Sequence, residues 1–298
     1  MSPHNTLCAF PNNCRSHDSR RRPEVQDNFT WTPPVGPLGR LTDSAHARAE
    51  RIASRLAELR DRARDVPLPT SFAAALVHGT TVAVIAELKR QSPSKGVLNS
   101  GIRATDRARR YVVGGARALS VLTEPSEFGG DNQDLIDVRA HVRVPLLKKD
   151  FHVHVGQVWE ARALGASAIL FIARALAPGQ LARLVDAAFE AGLEPLVEIR
   201  DERELQQALA TPTRVIGVNA RDLETLILQP EVTARLLPAI PADRVRVAES
   251  GMTNRDDIVR AATLGADAVL VGSSLSLAPD PEELLRTLSG VERVSSGR

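Results

Sequence analysis

The sequence has little cysteine, little net charge and no long apolar run, and each shortage excludes a class of protein. The only cysteines among the 298 residues are Cys8 and Cys14, so the rest of the chain has no disulfide framework. The formal net charge of +2 is too small to indicate nucleic-acid binding. No apolar run reaches the roughly 18 residues of a membrane span, and residues 1–30 lack the apolar core of a secretory signal. We therefore expect a cytoplasmic protein that binds neither nucleic acid nor a membrane.

Composition divides the chain near residue 42. Residues 1–42 are rich in Pro, Asn, Ser and Arg and have no helical or strand period, which predicts a disordered or poorly ordered N-terminal extension. Cys8, Cys14 and His17 lie within it, but three candidate ligands in such a segment are a weak basis for a zinc site, and we expect no metal. Residues 43–298 are predicted to form one catalytic domain.

An extra helix is predicted at the start of this domain, ahead of the first strand. Asp43 or Ser44 suits its N-cap. Ile52, Leu56 and Leu59 then recur at positions i, i+4 and i+7, on one face of a helix.

A second short helix, predicted around Phe72–Val77, is followed by a regular alternation of short apolar runs and helical stretches. The apolar runs predict eight strands, which are Val82–Ala86, Ala118–Leu122, Val144–Leu147, Ala168–Ile172, Pro195–Ile199, Arg214–Val218, Arg244–Ala248 and Ala268–Val271. They are apolar on both faces, which is typical of a parallel sheet covered by helices. Eight strand–helix units in about 210 residues favour a single (β/α)8 TIM barrel of the α/β class over an open sheet.

Six of the predicted strands end in, or are followed by, polar side chains. The residues at these ends are Glu87, Lys89, Lys149, Glu198, Asn219, Arg221, Glu249, Ser250, Ser273 and Ser274. In a (β/α)8 barrel the active site lies at the C-terminal ends of the strands. A single charge at such a rim is commonly only solvated. Carboxylates, lysines and an amide on several strands together predict an active site.

Glycine-containing turns follow the last two strands. Gly251 follows the seventh strand, and Gly272-Ser273-Ser274 follows the eighth. Such turns leave backbone N–H groups free at helix starts, and these two loops are the usual phosphate site of barrel enzymes. The sequence therefore predicts a small phosphorylated substrate.

Seven segments, in order along the chain, carry a more specific pattern. They are Ile85–Gly96, Leu119–Glu124, Pro145–Phe151, Leu196–Ile199, Gly217–Leu223, Val247–Gly251 and Leu270–Leu275. These segments resemble the indole-3-glycerol-phosphate synthase family over about residues 50–288, and the Lys-Arg-x-Ser-Pro-Ser and Lys-Asp-Phe motifs are particularly characteristic. The resemblance implies a carboxy-lyase of tryptophan biosynthesis that needs no cofactor. Its reaction converts 1-(2-carboxyphenylamino)-1-deoxyribulose 5-phosphate to indole-3-glycerol phosphate with loss of CO2 and water.

The resemblance also implies catalytic roles. Lys149 is the general acid that protonates the ketone oxygen of the substrate as the new carbon–carbon bond forms. Glu198 is the acid/base partner in dehydration, and Asn219 orients the leaving hydroxyl group. Glu87 is expected to hold Lys89 and Lys149 by charge and hydrogen bonding, and Lys89 to meet the phosphate or carboxylate of the substrate.

Further residues are assigned by resemblance to the polar network and to substrate binding. Glu249 belongs to the same network as Lys149. Pro93, Phe128 and Phe151 are expected to form an apolar slot for the anthranilate ring, and Arg221 to stack on the ring or bind its carboxylate. The remaining substrate-binding residues are Ser92 and, for the phosphate, Ser250, Gly251, Gly272 and Ser273.

Two local features need separate interpretation. Phe128-Gly-Gly-Asp-Asn132 stands where many relatives have Phe-x-Gly-Ser, so Asp131 is expected to bring a charge near the mouth and to alter affinity or loop closure. His152 and His154 follow the Lys-Asp-Phe motif, but alternate residues on a loop rarely suffice to bind a metal.

Several alternatives stay open. Phosphoribosylanthranilate isomerase would use a Cys–Asp pair, whereas the barrel region has no cysteine, and the α subunit of tryptophan synthase lacks the Lys-Asp-Phe motif. A paralogue serving a specialised pathway is a further alternative. An inactive barrel that binds an anthranilate phosphate or a partner protein is another, although the intact set of Lys149, Glu198 and Asn219 argues against it. A barrel without a fused neighbour is usually a monomer in this family.

Overall fold

The computed structural model describes residues 31–98, 101 and 103–294, and three helices precede the first strand. They are α1 (Gly36–Ala53), α2 (Leu56–Asp65) and α3 (Phe72–Val77). The extra N-terminal helix and the short helix at Phe72–Val77 are thus confirmed. The predicted N-cap at Asp43 or Ser44 is wrong, because α1 begins seven residues before Asp43, at Gly36. The predicted extension boundary at residue 42 falls inside this helix, and residues 1–30, with Cys8, Cys14 and His17, lie outside the described residues.

Tertiary contacts explain the early start of α1. Pro37 lies in its first turn, where a missing N–H is tolerated. The backbone N–H of Val35 donates to Glu224 Oε1 at 2.8 Å, and that of Leu38 donates to the Leu223 carbonyl at 3.0 Å. Groups from a distant loop therefore satisfy N–H groups that a local sequence pattern leaves without partners. A turn after Ala53 separates α1 from α2, so Ile52 does not share a helix with Leu56 and Leu59.

Eight parallel strands close into a barrel, which confirms the predicted fold. The barrel strands are β1 (Ala83–Leu88), β4 (Ala118–Leu122), β5 (Leu146–Lys149), β6 (Ala168–Ile172), β7 (Glu194–Ile199), β8 (Val215–Asn219), β9 (Val245–Glu249) and β10 (Ala268–Val271). Their order around the barrel is β1, β10, β9, β8, β7, β6, β5, β4. A short antiparallel ribbon, β2 (Gln91–Ser92) with β3 (Gly96–Val97), follows β1 on the mouth side.

Several strands continue further than predicted, so that polar residues of the mouth belong to the strands themselves. Glu87 lies within β1, and Lys149 is the last residue of β5. Asn219 and Glu249 end neighbouring strands and are paired in register. A polar side chain facing the mouth does not interrupt the backbone ladder, and for this reason side-chain polarity placed the strand ends too early.

Nine helices follow or cover the strands within the described part of the chain. They are α4 (Ala104–Val113), α5 (Asn132–His141), α6 (Val155–Ala163), α7 (Pro178–Glu190), α8 (Glu202–Leu209), α9 (Pro230–Leu236), α10 (Arg255–Thr263), α11 (Ser273–Leu277) and α12 (Pro281–Leu288). Short 3-10 turns occupy Ala173–Ala175 and Leu237–Ala239. None of the helices described is both long and apolar enough to cross a bilayer.

Candidate active site

A cavity of about 290 Å³ lies at the C-terminal ends of the barrel strands. All the predicted site residues line it except Glu198, which contacts two residues that do, Lys149 and Asn219. Residues from the first, third, sixth, seventh and eighth barrel strands therefore converge on one mouth, as parallel strands with a common direction require. The structure brings the predicted constellation together.

Lys149 is the centre of a buried charge cluster. Its Nζ lies 3.3 Å from Glu198 Oε2 and 3.6 Å from Glu249 Oε2. Both carboxylates are almost fully buried, whereas Lys149 keeps part of its side chain open to the cavity. An ammonium group held in this way faces the cavity with its position fixed by two strands other than its own.

The cluster shifts the pKa values of its members. Burial alone would lower the pKa of Lys149, but the carboxylates of Glu198, Glu249 and Glu87 outweigh burial and raise it. Burial raises the pKa of Glu249, and the nearby Glu198 and Glu87 add to the rise against the opposing effect of Lys149. These interactions favour the charged form of Lys149 and make Glu249 a weaker acid than a free glutamate.

Glu87 forms a second ion pair, with Lys89, at 2.8 Å between Glu87 Oε1 and Lys89 Nζ. Burial opposes ionisation of this carboxyl, but the charges of Lys89 and Lys149 prevail and lower its pKa. Gly272 leaves the space for this pair, because a Cβ there would lie 2.4 Å from Glu87 Oε1. The expected contact of Glu87 with Lys89 is observed, whereas its effect on Lys149 acts through charge.

Asn219 links the charge cluster to the predicted phosphate loop. Its Nδ2 donates to Glu198 Oε1 at 2.9 Å, and its Oδ1 accepts from Ser250 Oγ at 2.8 Å. These partners fix which end of the amide faces Glu198. Ser250 has a φ of 66°, a conformation that is unusual for a residue with a side chain, and it is followed by Gly251 with a φ of 78°.

The phosphate loops differ in one respect from expectation. Gly272 directly precedes the short helix α11, as predicted, but Gly251 does not stand at a helix start. Helix α10 begins only at Arg255 and is capped by Asn254. Ser250 and Gly251 therefore face the cavity from a loop, and Ser273 does so from the first turn of α11.

The residues predicted to form an aromatic slot line the same cavity. The ring centroids of Phe128 and Phe151 are 6.3 Å apart, and the rings are inclined at 37°. Pro93 and Ser92 of the ribbon also line the cavity, and Ser92 Oγ is buried without a hydrogen-bond partner among the described residues. Arg221 lines the cavity too, and its guanidinium donates to the Leu226 carbonyl.

Asp131, singled out in the sequence, has a structural partner. Asp131 is exposed and caps α5, since its carboxylate accepts from the Gln133 N–H at 2.8 Å, and it does not line the cavity. The charge of Asp131 thus lies on the loop after β4 but outside the cavity lining, and its expected effect on affinity or loop closure stays a prediction.

Both histidines are engaged as well. His152 bonds to the Leu170 carbonyl through Nδ1, and His154 caps α6. Within residues 31–98, 101 and 103–294, no group of three or more His, Cys, Asp or Glu side chains is arranged to hold a metal ion.

Several apolar residues that line the cavity were not predicted from the sequence. Leu41 of α1 lines the cavity, as do Leu122, Leu170 and Ile172. Asp150 lies in the quoted Lys-Asp-Phe motif but received no role. Its presence within that motif was the one available signal.

Comparisons with known proteins identify the family to which the chain belongs. A family model described as indole-3-glycerol phosphate synthase matches residues 40–288. The indole-3-glycerol phosphate synthase of Nocardioides sp. (strain ATCC BAA-499 / JS614) is 48% identical over 250 residues, covering 82% of this chain and 94% of that protein. Indole-3-glycerol phosphate synthase 1 of Streptomyces coelicolor is 46% identical over 253 residues, covering 84% and 94% respectively.

Likeness to solved structures supports the fold alone. A 3-hexulose-6-phosphate synthase from Salmonella typhimurium superposes with a TM-score of 0.57 at 15% identity, covering 70% of this chain and 96% of that one. Thiamine phosphate pyrophosphorylase from Pyrococcus furiosus gives a TM-score of 0.51 at 14% identity, covering 69% of this chain and 92% of that one.

Proposed function

The chain belongs to the indole-3-glycerol phosphate synthase family, and we propose how the residues of its mouth divide the work of that family's reaction. The reaction joins the anthranilate ring of the phosphorylated substrate to its ketone carbon and releases CO2 and water, as a decarboxylating lyase step of tryptophan biosynthesis. Its demands are a proton donor for the ketone oxygen, cationic groups for carboxylate and phosphate, and an acid/base for dehydration.

Lys149 is the general acid. Its ammonium group, held by Glu198 and Glu249, is the single observation that carries this assignment. The carboxylates keep Lys149 charged until the ketone oxygen gains alkoxide character, and an alkoxide is basic enough to take the proton from an amine. The positive charge also stabilises the oxygen before the proton moves.

Glu198 serves the dehydration step. Its Oε1 accepts from Asn219, and its Oε2 lies near Lys149, so the carboxylate sits between the group that protonates the oxygen and an amide that can orient the resulting hydroxyl. Glu198 takes the proton that the ring system releases and passes it to the departing hydroxyl group, which leaves as water. Glu249 modulates the charge of Lys149 from the other side.

The two ends of the substrate are bound on separate sides of the cavity. Ser250, Gly251, Gly272 and Ser273 bind the phosphate, and Lys89, paired with Glu87, supplies positive charge close to Gly272. Phe128, Phe151 and Pro93 enclose the anthranilate ring, with Ser92 Oγ donating to the substrate and Arg221 near its carboxylate.

The molecular context is proposed on more general grounds. A biosynthetic activity on a small phosphorylated substrate, together with a cysteine-poor chain, supports a cytoplasmic enzyme. The small net charge supports the absence of nucleic-acid binding, and the barrel acts as a monomer.

The test is direct. Purified protein is incubated with 1-(2-carboxyphenylamino)-1-deoxyribulose 5-phosphate without added metal or nucleotide. Formation of indole-3-glycerol phosphate is followed by the fluorescence of its indole ring. We expect turnover by the wild type and a loss of at least about 100-fold in Lys149→Ala, within the usual range for a general acid. Circular dichroism establishes that the variant is folded.

The other outcomes are equally informative. Turnover that survives in folded Lys149→Ala would move the general acid to Lys89. Tight substrate binding without turnover by the wild type would identify an inactive barrel.

A further inference from the structure

We propose that Arg48 of α1 is a positioning residue that sets the geometry of the aromatic slot. Arg48 does not line the cavity, and no role follows for it from the motifs. The inference rests on the proposed assignment of Phe128 and Phe151 to the anthranilate ring.

One guanidinium group bridges two loops of the mouth. Arg48 NH2 lies 2.6 Å from Asp150 Oδ1, and Arg48 NH1 lies 3.4 Å from Glu124 Oε1. The Glu124 side chain is fully buried, that of Asp150 is 5% exposed and that of Arg48 is 18% exposed, so both ion pairs are largely shielded from solvent. Shielded ion pairs constrain position more than exposed ones, and of the two the short pair with Asp150 constrains it most.

Each carboxylate in turn organises the loop that carries one of the two rings. The Glu124 carboxylate accepts from the backbone N–H groups of Glu127 and Phe128, at 2.7 and 3.2 Å. Asp150 accepts from the Phe151 N–H at 2.7 Å, and its other oxygen accepts from Thr123 Oγ1 at 3.0 Å. Phe128 and Phe151 are thus each one hydrogen bond away from a carboxylate that Arg48 holds.

The consequence is a fixed gap between the rings. The centroid separation of 6.3 Å depends on the relative position of two loops that are otherwise attached to different strands, β4 and β5. The Thr123–Asp150 hydrogen bond joins the loops at their base, and Arg48 adds a second link from outside the barrel, so that removing it loosens the parts of the loops that carry the rings. A planar guanidinium can bridge two carboxylates with separate N–H groups, whereas a lysine ammonium is a single point charge.

The experiment compares Arg48→Ala and Arg48→Lys with Arg51→Ala, a matched control at an exposed position of the same helix. We measure KM and kcat, the melting temperature, and the inhibition constants of 2-aminobenzoate and inorganic phosphate, which report on the two ends of the site separately. For Arg48→Ala we expect KM and the constant for 2-aminobenzoate to rise by about 10-fold, the effect of losing one charged hydrogen bond. The constant for phosphate and the kcat should stay within about 3-fold. Arg51→Ala should match the wild type.

A different result is expected if Arg48 contributes only to stability. Arg48→Ala would then have a lower melting temperature but unchanged KM and unchanged inhibition constants, and this result would overturn the proposal. If Arg48→Ala does not fold, Arg48→Lys decides, because an unchanged constant for 2-aminobenzoate in that variant equally overturns it. Phe128→Ala separates the premise from the inference: a normal KM there refutes the aromatic slot itself, whereas a raised KM alongside a normal Arg48→Ala refutes only the role of Arg48.

Discussion

Gly217 of β8 makes room for the carboxylate of Glu249, and substitution by alanine tests whether that placement is required. A Cβ at position 217 would lie 2.0 Å from Glu249 Oε1 and 3.1 Å from Leu196 Cδ2. The oxygen must retreat by about 1 Å to reach a tolerable contact, and this moves the group that stands 3.6 Å from Lys149. A displacement of this size at a reacting centre costs roughly 100-fold in rate. We therefore expect kcat/KM of Gly217→Ala to fall by about 10- to 100-fold.

The indole fluorescence assay measures this effect, and two further variants isolate its cause. Gly179→Ala is the control, because a Cβ there meets only Arg183 NH1 at 3.8 Å, and it should keep full activity. In the double variant Gly217→Ala/Glu249→Ala the clash is gone, so the melting temperature lost in Gly217→Ala should be partly regained. Activity of folded Gly217→Ala within about twofold of the wild type would refute the reasoning.

Two further predictions concern residues outside the reaction. Burial, followed by the charge of Lys148, lowers the pKa of His152 to about 3. The neutral ring therefore stabilises the fold above the unfolded-state pKa near 6.5, and this contribution is lost as the pH falls towards 3, by about 1.4 kcal/mol per pH unit. Denaturant unfolding between pH 4 and 7 should show a steeper loss for the wild type than for His152→Gln, and equal slopes would contradict the assignment. Asp131→Ser should keep the cap of α5 and the wild-type KM, whereas Asp131→Ala should lower the free energy of unfolding by about 1 kcal/mol because the cap is lost. A changed KM in the serine variant would show that Asp131 contributes to substrate binding.

Local sequence patterns predict most of this architecture. Short runs that are apolar on both faces identify the barrel strands, because every such strand is buried between helices and the barrel interior. Polar residues at the strand ends identify the mouth, because the parallel strands place those ends together. The sequence therefore predicts the fold and the membership of the candidate site.

What local pattern does not contain is contact between distant segments. The start of α1 depends on Leu223 and Glu224, which supply hydrogen-bond acceptors from far along the chain. In the sequence Arg48 is indistinguishable from other helix arginines, and its ion pairs with Glu124 and Asp150 form only in the folded chain. Such partners become visible only when the chain has folded, since no spacing rule relates residues so far apart.

The excess of carboxyl groups in the charge cluster couples substrate binding to the uptake of protons. Three carboxyl groups, Glu87, Glu198 and Glu249, surround two ammonium groups, Lys89 and Lys149, and yet the proposed substrate brings further negative charge in its carboxylate and phosphate. An anion entering such a cluster raises the pKa of Glu249 further above its usual value. Association is then linked to proton uptake from solvent, and the affinity for substrate weakens as the solution becomes more alkaline. The dissociation constant of the substrate therefore depends on pH.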